Sequence, residues 1–201
     1  MRHAETPANS NDCFIGSGSP DVKLSPQGIS QAHAVGQYFK RIGVQFDEIY
    51  CSPLKRCYQT AMEITLETGG GIIIPQEELL EFNYGEWEGE ARVDIEKKYP
   101  KEYHEYLNGK DGSFCPPGGT ETLDDVKQRL EKFINGLLSS QVRSGKKVLV
   151  ITHKTIGRIL YQQINTGGIA GFREIPMKNA SIGYVSLQDE KMKVILDNKT
   201  M

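Results

Sequence analysis

The sequence predicts an α/β fold of three layers, α/β/α, around a mostly parallel sheet, with a partly helical lid inserted at about 77–120. Short apolar runs of strand length alternate with longer stretches whose apolar residues recur every three or four positions. Helices between successive strands make those strands parallel and cover both faces of their sheet. The run Lys147–Thr152 is almost continuously apolar, as a strand covered on both faces should be. A length of 201 residues fits one domain, read as a single unit over 1–201.

Ser25-Pro26 reads as the cap and first residue of a helix to about Ile42, with Ile29, Ala32, Val35, Phe39 and Ile42 on one stripe. Phe46–Cys51 is a short buried strand. Ser52-Pro53 repeats the helix-start signal for a helix to about Thr68, with Leu54, Cys57, Ala61 and Ile64 inward. Gly69-Gly70-Gly71 ends it; the run lacks the lysine of a phosphate-binding P-loop. Ile72–Pro75 is the next strand. Between Phe82 and Phe114 aromatic residues crowd among glycines and mixed charge, which predicts a lid beside the sheet; a satellite hydrophobic cluster is the plainer alternative. Thr120 or Thr122 caps a long helix carrying Leu123, Val126, Leu130, Phe133 and Leu137. After Lys147–Thr152 a helix runs from about Thr155 to Ile164. Ser181–Leu187 and Met192–Leu196, joined through Asp189-Glu190, form a closing hairpin or edge pair.

Apolar content of 38% and charged content of 25% describe a soluble globular chain. Ile72–Ile74 and Val148–Ile151 are too short to span a bilayer, and Met1 is followed at once by Arg2-His3 rather than an apolar signal segment. The net charge of -2 gives no pull toward nucleic acid, so phosphate binding must come from a local cluster of cations. Cys13, Cys51, Cys57 and Cys115 lack CxxC spacing and read as isolated thiols of a reducing cytosol, without a zinc site. The expectation is a cytoplasmic protein with a small phosphorylated substrate, no nucleic-acid or membrane partner, no metal and no cofactor; oligomeric state is not fixed.

Taken singly, Arg2-His3 carries little weight. Four separated segments make chemical sense together: Arg2-His3-Ala4-Glu5-Thr6 with Asn9; Ser52-Pro53-Leu54-Lys55-Arg56 with Gln59-Thr60-Ala61; Leu80-Glu81 through Trp87-Glu88-Gly89; and Ile151-Thr152-His153. In this order the chain resembles the histidine phosphatase (phosphoglycerate mutase-like) superfamily. Leu24-Ser25 with Gly28 and Gln31-Ala32, the Pro117-Gly118-Gly119 turn and Asn179-Ala180-Ser181 extend the match through essentially the whole chain.

The resemblance implies that His3 attacks phosphorus and becomes phosphohistidine, splitting one displacement into two. Charge on the transferring phosphoryl group calls for positioned, permanently charged donors, and Arg2 and Arg56 are the two forks implied. His153, where a buried strand meets a helix start, is implied as a second phosphate ligand, with Asn9 and the backbone near Gly16 as further contacts. Glu81 is selected by the motif as general acid over its neighbours Glu77, Glu78, Glu86 and Glu88. His33 and His104 match nothing and read as structural or solvated, and Glu96-Lys97-Lys98 as a solvated helix face.

The chain also departs from the pattern. Only Met1 stands before Arg2 where the family has a hydrophobic strand, so the fold is expected with its first strand missing. Ala4 replaces a glycine, Ala8 a tryptophan, and the loop from Gly16 to Leu24 is slightly long. Lys154 stands where glycine is common; it either adds a cation to the substrate mouth or points to solvent. The stretch from Glu81 to His153 is short beside the mutases, which favours a metal-independent phosphatase similar to α-ribazole phosphatases and broad phosphomonoesterases. An α-ribazole phosphate-like or sugar phosphate substrate would suit an aromatic lid. A phosphoglycerate mutase-type phosphotransferase, or a non-catalytic binding relative, is the alternative.

Overall fold

In a computed structural model that describes residues 1–109, 112–141, 146–188 and 191–199, three short strands make the central sheet. They are β1 (Glu48–Cys51), β2 (Ile72–Pro75) and β3 (Val148–Ile151), parallel and ordered β2-β1-β3. In register, Ile49 stands between Ile73 and Leu149. Side chains alternate across a strand, so this register sorts them onto two faces. Ile49, Cys51, Leu149 and Ile151 pack with Val35 and Phe39 of α1 (Pro26–Arg41) and with Ala61 and Ile64 of α2 (Lys55–Thr68). Tyr50, Val148 and Val150 pack the other way, toward Leu130 and Phe133 of α5 (Leu123–Gln141) and Ile156 and Ile159 of α6 (Lys154–Thr166). The result is the three-layer α/β arrangement. Strands β4 (Ile182–Gln188) and β5 (Lys191–Lys199) pair antiparallel; the expected junction at Asp189-Glu190 lies outside the described residues. No helix among the described residues is long and apolar enough to cross a membrane.

The helix starts follow their capping chemistry. Ser25 Oγ accepts the Gly28 N–H at 3.0 Å and Pro26 opens α1. Thr122, not Thr120, caps α5: its Oγ1 accepts the Asp125 N–H at 3.1 Å while Asp125 Oδ2 accepts the Thr122 N–H at 2.8 Å. Leu123, Val126, Leu130, Phe133 and Leu137 are all buried, as expected. Two expectations need correction. Ser52-Pro53 does not open α2; the helix starts at Lys55, because Ser52 is drawn into a hydrogen bond with His153. The α1 stripe also does not bury both ends: Ile29 and Ile42 are 36% and 45% exposed, and Gly28 and Gly36 take the close contacts instead. A Cβ on Gly28 would lie 2.0 Å from the Glu5 carbonyl, so glycine is what lets α1 touch the His3 segment.

Residues 77–120 fold into short 3₁₀ turns, Glu77–Leu79 and Gly85–Trp87, then α3 (Arg92–Lys98) and α4 (Pro100–Asn108). Their aromatic side chains are spent largely on one another. Trp87 is fully buried, with ring centroids of Phe14, Tyr99, Tyr103, Tyr106 and Phe114 between 5.3 and 6.3 Å away. Glu96, Lys97 and Lys98 are exposed on α3, and His33 bridges Glu63 and Glu67 of α2 at 3.1 and 3.0 Å.

Met1–His3 runs beside the end of β3. Among the described residues Arg2 makes a single parallel bridge to Thr152. His3 N–H donates to Thr152 O at 2.9 Å, Thr152 N–H to Met1 O at 3.0 Å, and Arg2 N–H to Ser181 O at 3.2 Å. The Met1 nitrogen donates to Val150 O at 2.5 Å. Beyond it lies an apolar slot of about 280 Å³ walled by Phe39, Val148, Val150, Ile182 and Tyr184.

Candidate active site

Parallel strands deliver their carboxyl ends to one edge of the sheet, where open α/β folds bind ligands. At that edge β1 runs into Ser52, β3 into Thr152-His153, and the Arg2–Thr152 bridge sets His3 beside them. His3 and His153 face edge to face, ring centroids 5.2 Å apart. A cavity of about 150 Å³ opens here, and Arg2, His3, Asn9, Arg56, Glu81 and Lys154 all line it.

His3 is almost wholly buried. Its Nδ1 lies 2.7 Å from the Ala4 carbonyl, which can only accept, so Nδ1 carries the proton and Nε2 keeps its lone pair. Burial, then the charges of Arg2 and Arg56, hold its pKa well below the ordinary histidine value. The ring is a neutral imidazole with its tautomer set. Arg2 donates from Nη1 to the Met177 carbonyl at 2.9 Å, and burial lowers its pKa to about 10. Arg56 donates from Nε to His153 Nδ1 at 3.1 Å and from Nη2 to the Gly16 carbonyl at 3.2 Å. Each guanidinium keeps one buried donor without a partner, Nε of Arg2 and Nη1 of Arg56. A buried orphan donor is costly, and both guanidinium groups belong to residues that line the cavity.

Glu81 is 4% exposed. Burial raises its carboxyl pKa, against the opposing pull of the Phe82 N–H, Arg56, the Thr155 N–H and Arg2. Those two N–H groups reach Oε1 and Oε2 at 2.9 and 3.3 Å. Thr155 is itself fixed by the Tyr84 hydroxyl at 2.6 Å. Of the competing carboxylates, Glu88 is committed elsewhere: it accepts the N–H groups of Gly16, Gly18 and Tyr84 at 2.7, 3.2 and 3.0 Å, latching the loop to this segment. Glu86 accepts the Tyr99 hydroxyl at 2.5 Å.

Asn9 lines the cavity, and its Oδ1 accepts the Thr6 N–H and the Asn179 amide at 3.0 Å each, so its NH₂ end is left for an anion. Gly16 meets the site through its carbonyl on Arg56, while its N–H is taken by Glu88. A Cβ there would sit 2.3 Å from the Phe82 carbonyl. His153 is fully buried with both nitrogens engaged: Nε2 with Ser52 Oγ at 2.8 Å and Nδ1 with Arg56. It stands behind Arg56, and direct phosphate ligation would require one of these bonds to open. Lys154 is half-buried at the mouth, not turned to bulk solvent. Motif reading missed Arg92 and Asp12, which line the same cavity and pair at 3.0 Å. A cation three residues beyond the Trp87-Glu88-Gly89 motif was the available signal.

The family model for the histidine phosphatase superfamily (branch 1) matches residues 1–200. The chain belongs to that superfamily. Phosphoserine phosphatase 1 of Hydrogenobacter thermophilus is 28% identical over 203 residues, spanning 100% of this chain and 90% of the relative. A 2,3-bisphosphoglycerate-dependent phosphoglycerate mutase of Methylorubrum extorquens is 32% identical over 155 residues, 76% of this chain and 71% of that one. A mycobacterial glucosyl-3-phosphoglycerate phosphatase superposes with a TM-score of 0.84 at 25% identity, covering 99% of this chain and 96% of its own. The α-ribazole phosphatase of Shigella flexneri shares the fold, with a TM-score of 0.83 at 22% identity and coverage of 99% and 94%. The chain thus sits among relatives named both as phosphatases and as mutases.

Proposed function

We propose that this histidine phosphatase hydrolyses a small phosphate monoester, without a metal, through a phosphohistidine on His3. The observation that carries the proposal is the convergence on one cavity of a neutral imidazole with a fixed tautomer and two arginines holding unpartnered donors. His3 Nε2 forms a bond to phosphorus as the ester P–O bond breaks, and Glu81 gives its proton to the departing alcohol oxygen. A water then attacks phosphorus, Glu81 takes the water's proton, and the Nε2–P bond breaks to release orthophosphate. Arg2 and Arg56 hold the phosphoryl oxygens throughout, and each such fixed donor supplies on the order of 10²–10³ in rate. His153 keeps Arg56 aimed.

Support for an aromatic or ribosyl ester is weaker. Of the crowded aromatic side chains, Phe14 and Tyr84 reach the cavity while the others pack together, and about 150 Å³ suits a small ester. Hydrolysis of p-nitrophenyl phosphate in EDTA tests the mechanism. Activity should be present in the wild type and lost in His3→Ala; robust turnover surviving that change would sink it. The mutase-named relatives favour one other outcome: phosphoryl exchange dependent on a bisphosphorylated primer, in place of steady phosphate release.

A further inference from the structure

Arg56 is aimed by two hydrogen bonds, and they differ in what stands behind them. Its Nε donates to His153 Nδ1 at 3.1 Å, on a fully buried ring that is itself tied to Ser52. Its Nη2 donates to the Gly16 carbonyl at 3.2 Å, and Gly16 belongs to a loop, 15–25, without helix or strand. A carbonyl on a loop fixes a guanidinium only where the loop is held. Glu88 holds this one. Its Oε2 accepts the Gly16 N–H at 2.7 Å and the Ser19 hydroxyl, and its Oε1 accepts the N–H groups of Gly18 and Tyr84 at 3.2 and 3.0 Å. Backbone bonds run alongside, Gly89 N–H to the Phe14 carbonyl at 2.8 Å and Phe14 N–H to the Glu90 carbonyl at 3.0 Å. The approach is so close that a Cβ on Gly16 would lie 2.3 Å from Glu88 Oε1. Arg56 and Tyr84 line the cavity, and Glu88 stands behind them.

We propose that Glu88 is a positioning residue for the phosphoryl group: by holding Gly16 it fixes the carbonyl that orients Arg56, and so sets where the unpartnered Nη1 of Arg56 points. This rests on the reading that Arg56 holds the phosphoryl oxygens. The role needs a carboxylate because all four partners are donors. A carboxamide of the same shape offers one acceptor oxygen, and its NH₂ group must then face two of those donors. Glu88→Gln therefore keeps the size of the side chain and breaks half of the clamp. With the loop released, the guanidinium keeps only His153 as a fixed partner, and a donor misplaced by about 1 Å costs on the order of 10²-fold in rate.

The test is a double-mutant comparison of kcat/KM for p-nitrophenyl phosphate. In the otherwise wild-type chain, Glu88→Gln should lower kcat/KM by about 10–10²-fold. Combined with Arg56→Met, which leaves no guanidinium to aim, the same change should lower it by less than about threefold. A merely structural Glu88 would lower both alike. Equal losses with and without Arg56→Met therefore overturn the proposal, as does a loss below about threefold in the otherwise wild-type chain. Ser19→Ala carries the same comparison if Glu88→Gln does not fold, since it removes one donor from the clamp and leaves the carboxylate in place. Its several-fold loss should vanish when Arg56→Met is present; a loss in both settings, or in neither, overturns the proposal. His3→Ala, measured alongside, keeps the two failures apart. Turnover surviving that change sinks the phosphohistidine reading, whereas equal Glu88→Gln losses on a background of His3-dependent turnover sink the role of Glu88 alone.

Discussion

His3 and Glu81 are both buried, and burial pushes both toward neutrality by opposite routes: the histidine pKa falls and the carboxyl pKa rises. In the proposed chemistry this leaves the imidazole free to attack while the carboxyl still holds the proton the leaving oxygen needs. For the proposed chemistry the sign is fixed. Above the raised Glu81 pKa the acid is spent, so the phosphorylation step should slow as pH increases, most of all for an alkyl ester whose leaving oxygen must be protonated. Glu81→Gln should cut kcat/KM, which reports the phosphorylation step alone, by about 10²–10⁴ for an alkyl phosphate and far less for p-nitrophenyl phosphate, because nitrophenolate departs readily without help. Inorganic phosphate affinity should be nearly kept, as Arg2 and Arg56 remain. Equal losses for the two esters would remove Glu81 from the acid role.

At the scale of elements, Val148 and Val150 at the edge of β3 border an apolar slot of about 280 Å³. The elements themselves were largely legible, because their signals are local. The five apolar positions of α5 and the continuous run of β3 are periodicities, and Ser25 and Thr122 are caps a few bonds from what they cap. The start of α2 was misread because the hydroxyl that looked like a cap belongs to a tertiary contact, Ser52 with His153.

The whole molecule brings together what is far apart in the chain, and that sets which part of the site the sequence revealed. His3, Arg2, Arg56 and Glu81 were visible because motif positions mark them, and the fold sets all of them on one cavity. Arg92 and Asp12 were not, because they meet across 80 residues and neither carries a signal of its own. Nor could spacing reveal that Glu88 latches the Gly16 loop or that His153 holds Arg56. Charge shows the same contrast. The net charge is -2, yet Arg2, Arg92 and Lys154 line one small cavity with Asp12 as the opposing carboxylate at its mouth. A local positive field on a slightly negative molecule attracts anions over a distance that salt shortens, about 10 Å at 0.1 M against about 30 Å at 0.01 M. For any dianionic phosphate ester, kcat/KM should fall several-fold between roughly those two ionic strengths, with kcat changing little. Arg92→Met should flatten that salt dependence as well as lower kcat/KM at low salt. If the wild-type value is indifferent to salt, or if the variant keeps the full slope, the field at the mouth plays no part in capture.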